Sequence, residues 1–448
     1  MKKFLRIGAS LMALTLLLGL CGCGTELSFN PQELYCLPKL PAEYTELDDC
    51  IKAVLDRGAE YAAPTAGTHV QAVQLVDLDS DGQQEAVGFF RNAEDERPLK
   101  IYIFEEAEDA YEQTAVIEGS GSSIYSVAYE DLDGDSWIEL VVGWRAGTDL
   151  QALSVYSLRR EKPVELLRTN YVRYAIVDLD QDGVKELVVF RSDDEGNGLA
   201  DYYCWQDGGI SIRGSARISV TMAQLSQQGK VRKGVLKNGM PALFVTGVEG
   251  SANAITDILG VRNGELTNLV LSDVTGMSSE IAPFRGLYPT DINSDGLTDV
   301  PWPGALAEDP EEERSEPCWV EWRSYDSKGR SETAAKTYHN IEDGWYLCLP
   351  AAWEERISAV RGTLADEATV TFSHQEHGKD VPVLRISALT GSSRDVKAAR
   401  GSRFVLSRQA ETTFTAELLE GNSIWKYGLT EDQVRAAFSL ITHEWDDN

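Results

Sequence analysis

The chain is poor in the residues that most catalytic and nucleic-acid-binding proteins depend on. It has five histidines and seven cysteines in 448 residues, and 41 basic residues against 72 acidic ones. A net charge of −31 argues against nucleic acid as a partner, because phosphate binding needs basic patches. No GxSxG, HExxH or phosphate-cradling glycine loop is present. Gly119–Ser123 (GSGSS) reads as a turn between repeats rather than a nucleotide loop. His374 and His377 are the only close histidine pair, and they lack a third ligand in any recognisable metal motif. A polar hairpin explains them better.

The only long apolar run lies at the N-terminus. Lys2, Lys3 and Arg6 precede Ile7–Leu20, which has the order of a secretory signal and is too short for a dependable membrane span. It ends in Leu20-Cys21-Gly22-Cys23, which resembles a bacterial lipobox. The resemblance implies cleavage after Gly22 and a lipid on Cys23. Residues 1–22 are then a signal peptide, and the chain is an anchored protein on the extracytoplasmic side of the membrane. Cleavage removes three basic residues and no acidic one, leaving a body of charge −34. Such a body is repelled by anionic lipid and stands away from the surface.

What the chain does have is aspartate in a fixed pattern. Asp-x-Asp/Asn-x-Asp, followed four residues later by a carboxylate, occurs four times. The copies are Asp77, Asp79, Asp81 and Glu85; Asp131, Asp133, Asp135 and Glu139; Asp178, Asp180, Asp182 and Glu186; and Asp291, Asn293, Asp295 and Asp299. Clustered carboxylates repel one another unless a cation lies between them. Calcium accepts six to eight oxygens from carboxylates, carbonyls and water, whereas magnesium prefers a smaller, wetter shell. The expectation is about four structural calcium ions, with position seven (Gln83, Trp137, Val184, Leu297) counted among the ligands. Glycine at position six (Gly82, Gly183, Gly296) permits the turn. The second copy has Gly134 at position four and Ser136 at position six, so its turn is expected to differ slightly.

An EF-hand needs a glutamate at position twelve between two helices. Here position twelve is Gly88, Val142, Val189 and Trp302. Strand-like runs lie on both sides of the first three loops: VQAVQLV and AVGFF, SIYSVAY and LVVGW, YVRYAIV and LVVF. Each loop therefore clasps a hairpin. The pattern resembles the FG-GAP and VCBS repeats, calcium-loop blades of β-propellers, over roughly residues 66–340. That resemblance implies a scaffold rather than an activity.

The spacing adds a fifth repeat. Position five falls at Asp81, Asp135, Asp182 and Asp295, and the last interval is about twice the others. Near its middle, KNGMPALFV (Lys237–Val245) aligns with QDGVKELVV (Gln181–Val189). Gly234, Leu236 and Ala242 stand where Asp178, Asp180 and Glu186 stood, so this reads as a blade that kept its hairpin and lost its metal. Trp137 and Trp144 read as filling between blades.

The expected organisation is mainly β: a tether and short helix over 23–65, a propeller of about five four-stranded blades over 66–339, and a small α+β domain over 340–448. Leu47, Ile51, Val54 and Leu55 mark the short helix. In the last part, GWYLCLP (Gly344–Pro350) reads as a strand of the terminal module. Thr430 and Gln433 cap a helix with Val434, Ala437, Phe438 and Ile441 on one face. The acidic stretch Ala307–Pro317 reads as a solvated loop. No disulfide is expected; Cys36–Cys50 is the best candidate pair. The functional expectation is a binding module for a protein or glycan at the cell envelope, without catalysis. The alternatives are an envelope hydrolase or lyase built from propeller loops, and a structural component of an envelope complex.

Overall fold

The computed structural model describes residues 45–107, 110–147, 151–159, 162–250, 252–303, 318–353 and 357–441. The signal segment, Cys23, Cys36, the tether and the acidic stretch before Cys318 lie outside the described residues. No helix among the described residues is long and apolar enough to cross a membrane.

The chain folds as five consecutive antiparallel meanders, the blades of a β-propeller, followed by a further sheet. Blade two shows the plan: Ser123–Glu130, Glu139–Arg145, Gln151–Ser157 and Val164–Asn170 pair in chain order. Blade one (Val73–Val76 to Ala110–Gly119) and blade three (Arg173–Val177 to Gly209–Ile218) repeat it. Blade four (Lys230–Val235 to Glu265–Asn268) gains Glu280–Pro283, which pairs with its third strand. An irregularity recurs between the third and fourth strands of blades one, two, three and five. That repetition is independent of the acidic loops.

The second strand of each acidic-loop blade is an apolar run, because it is sandwiched between neighbouring blades. Glu85–Phe90, Glu139–Trp144 and Glu186–Phe190 are buried at every position, as expected of strands covered on both faces. One cluster joins Val87, Phe89 and Ile101 of blade one to Ile124, Leu140 and Trp144 of blade two. Equivalent clusters join blades two and three, three and four, and four and five. Trp144 is the expected interblade filler: a β-carbon added at Gly119 would lie 2.3 Å from its ring. Trp137, by contrast, sits half-buried on its loop. The short helix forms over Thr45–Leu55, and Leu47, Ile51 and Val54 pack on Ala86, Phe90 and Phe104 of blade one.

Blade five departs from the plan. Its first strand is reduced to a single bridge, Thr290 to Asp299. Trp345–Cys348, assigned from sequence to the terminal module, pairs with Ser331–Asn340 of blade five instead. The last helix runs only from Glu431 to Ala437, and Phe438–Leu440 becomes a strand beside Trp345–Leu347. The capping box at Thr430 and Gln433 is present as expected. Phe438 packs against Trp345 and Phe414, so tertiary burial overrides the helical pattern. The terminal sheet holds Ile357–Leu364, Glu367–Glu376, Lys379–Leu389, Thr413–Leu418 and Phe404–Arg408, and it shares a core with Tyr338, Trp345 and Leu347.

Candidate metal centres and their surroundings

The acidic loops fall where the repeat predicts, between the first and second strands of their blades. In each, the apolar second residue is buried: Leu78, Leu132, Leu179 and Ile292. Burial of that side chain pulls its peptide inward, and its N–H donates to the last carboxylate of the loop. The distances are 2.6 Å to Glu85, 2.9 Å to Glu139, 2.9 Å to Glu186 and 3.4 Å to Asp299. The first aspartate accepts from the N–H at position six: Gly82, Ser136, Gly183 and Gly296.

Positions four and six are left-handed in all four loops. Position four has φ of 61° at Ser80, 77° at Gly134, 62° at Gln181 and 61° at Ser294. Ser136 adopts φ 72° at position six, where the other loops carry glycine. The second loop therefore keeps the common turn rather than a variant of it. Asp131 Oδ2 stabilises the unusual serine through the bond from its N–H.

Three loops gather carboxylate oxygens within 4.8 Å of one another: Asp77, Asp79 and Glu85; Asp131, Asp133 and Glu139; and Asp178, Asp180, Asp182 and Glu186. Asp81 and Asp135 stand outside these groups. Asp81 accepts from the Gln83 N–H, and Asp135 pairs with Arg159. In the fifth blade Asn293 donates to Asp295 at 2.9 Å. The position-seven residues Gln83, Trp137, Val184 and Leu297 each point their N–H to the aspartate two residues earlier.

Two observations test whether these residues suit a cation. Asp77 Oδ1, Asp178 Oδ1, Asp180 Oδ1 and Asp299 Oδ1 are buried and accept no hydrogen bond, although buried polar atoms are normally satisfied. Burial also raises carboxyl pKa values against the opposing pull of the backbone N–H. Glu139, Glu186 and Asp299 are each pushed up to about 7, with neighbouring aspartates adding to the effect. Glu85 is raised for the same reasons. A cation would supply both the missing partner and the missing charge. An all-oxygen donor set fits a hard divalent ion.

The turn of blade four confirms its different chemistry. Leu236 remains buried, and its N–H now bonds to Met240 O at 2.8 Å. Thr298 Oγ1 accepts from Val235 N at 3.2 Å and crowds Gly234. Backbone and hydroxyl groups thus close a hairpin that has no carboxylates to neutralise.

The other sequence candidates resolve simply. His374 is buried and stacks on Trp425 (4.6 Å between centroids), while His377 has φ 51° in the turn of the same hairpin. Cys50, Cys204, Cys318 and Cys348 are free thiols. Sequence reasoning missed a recess of about 500 Å³ between blades one and two, lined by Arg97, Glu118, Ser120, Tyr156, Glu165 and Arg168. It depends on how two blades abut, and no local pattern announces it.

No family model matches the chain, and no curated protein does. Solved structures with similar folds include the exotype rhamnogalacturonan lyase YesX, with 10% identity, 72% of this chain and 73% of that chain covered, and a TM-score of 0.30. Rhamnogalacturonan lyase YesW has 12% identity, with 80% and 75% covered and a TM-score of 0.32. TolB from Acinetobacter baumannii has 12% identity, with 66% and 63% covered and a TM-score of 0.25. These likenesses are too remote to carry an activity across.

Proposed function

We propose that the chain is an exported, lipid-anchored β-propeller whose four acidic loops bind structural calcium, in the manner of FG-GAP and VCBS repeats. It acts as a binding module for a protein or glycan at the cell envelope. The observation that carries the calcium reading is the set of buried, unpartnered carboxylate oxygens in the loops of blades one, three and five. Each ion would join two strands and cancel repulsion among its ligands. Cys23 would carry the lipid and hold the propeller outside the membrane.

The recess between blades one and two supports the binding role. Its volume suits a small ligand or the end of a larger one. Tyr156 Oη donates to Glu165 at 2.9 Å, and Lys100 pairs with Glu118, so two acceptors are held in place. Arg97 donates to no group among the described residues. A glycan and peptide array, probed with the whole chain in calcium, tests this reading. Binding weakened by Arg97→Ala and Arg168→Ala, without turnover, is expected. Release of cleavage products would favour the enzyme alternative instead.

A further inference from the structure

We propose that the cation sites of blades one and two are coupled, so that filling one raises the affinity of the other, while the loop of blade five binds independently. The inference rests on the calcium reading of the loops and goes beyond it to how the sites communicate.

The connection runs through one residue, Leu78. Leu78 donates its N–H to Glu85 within loop one, and its carbonyl accepts from Ile138 N at 2.8 Å. Ile138 adjoins Glu139, the last carboxylate of loop two, which itself holds Leu132 N–H. A second bond lies alongside: Ser80 Oγ donates to the Ser136 carbonyl at 2.6 Å. Ser80 separates Asp79 from Asp81, and Ser136 follows Asp135, so both ends of this bond are embedded among ligands. Both residues are left-handed, with φ of 61° and 72°. Closing loop one on a cation fixes Leu78 and Ser80, and these fix Ile138 and Ser136. The second cation then binds a loop whose ordering is already partly accomplished. Coupling between binding sites is reciprocal, so the effect runs both ways.

Among the described residues, blade five has no such bond to another acidic loop. Its loop meets the turn of blade four through Thr298 and Val235, with N–H to carbonyl at 2.9 Å, and that turn has lost its carboxylates. Occupancy in blade three therefore has no adjacent acidic loop through which to reach blade five.

Terbium in place of calcium reads the sites separately. Trp137 belongs to loop two, so the emission lost in Trp137→Phe reports that site. In the whole chain, Asp77→Asn with Asp79→Asn should weaken terbium binding at loop two by roughly 5- to 150-fold, the usual range for coupled sites. Asp291→Asn should leave it unchanged. Ser80→Ala keeps every ligand; it should lower the loop-two affinity by roughly 2- to 10-fold, the effect of one hydrogen bond. Loop-two titrations that are identical in parent, Ser80→Ala and the loop-one variant would overturn the coupling while leaving the calcium reading intact. Absence of any Trp137-dependent emission in the parent would overturn both.

Discussion

Blades three and four contain the same hairpin built in two ways. In blade three, Asp178, Asp180, Asp182 and Glu186 converge, and burial raises the Glu186 pKa to about 7. In blade four, Leu236 bonds to Met240 and Gly239 to Leu236, and no carboxylate is present. The backbone pairing that follows is regular in both. The hairpin itself therefore does not need a metal. What a cation would neutralise is the group of carboxylates that blade three gathers around buried Glu186.

The largest predicted effect tests that difference across the whole molecule. Chelation should lower the melting temperature by many degrees, since each site filled at a hundredfold excess over its Kd contributes about 2.7 kcal/mol. Thermal melts with and without chelator check it. An unchanged midpoint would mean that the buried carboxylates carry their own protons.

A paired substitution sharpens the comparison. Asp178→Ala with Asp182→Ala should remove roughly one site's share, about 2–3 kcal/mol in calcium. Asn238→Ala, on the exposed turn of blade four, should stay within about 0.5 kcal/mol. Similar losses from both would end the idea that blade four has dispensed with metal. Glu186→Gln should reverse sign with conditions: destabilising in calcium, where a ligand charge is lost, and neutral or stabilising in chelator, where a buried charge is removed.

A pH-dependent effect separates metal from the rest of the core. His339 of blade five is buried, which lowers its pKa to about 4. Its unfolded value is about 6.5, so the stability it contributes is fully present above pH 6.5 and is lost as pH falls toward 4. Full development of that shift corresponds to at most about 3 kcal/mol. His339→Gln should flatten this part of the acid limb equally with calcium and with chelator. A calcium-dependent change would place the titration elsewhere.

The sequence made the repeats legible because aspartate spacing and apolar runs are local signals. Loop positions, the metal-free fourth turn, the helix at Thr45–Leu55 and the hairpin strands all follow from them. Other features were not legible from spacing alone. Ser136 takes the left-handed conformation that glycine adopts in the other loops, with its N–H bonded to Asp131 as theirs are to their first aspartates. Phe438–Leu440 leaves the helix because Trp345–Leu347 offers an open edge nearly a hundred residues away. Asp135 stands outside its cluster and pairs with Arg159, two residues beyond the third strand of the same blade.

Calcium stoichiometry of the whole chain, by titration calorimetry with parallel thermal melts, tests the central claim most directly. About four ions with a large gain in melting temperature is the predicted result. No binding at millimolar calcium would contradict it, leaving the loops as solvated turns on a propeller held together by its interblade core alone.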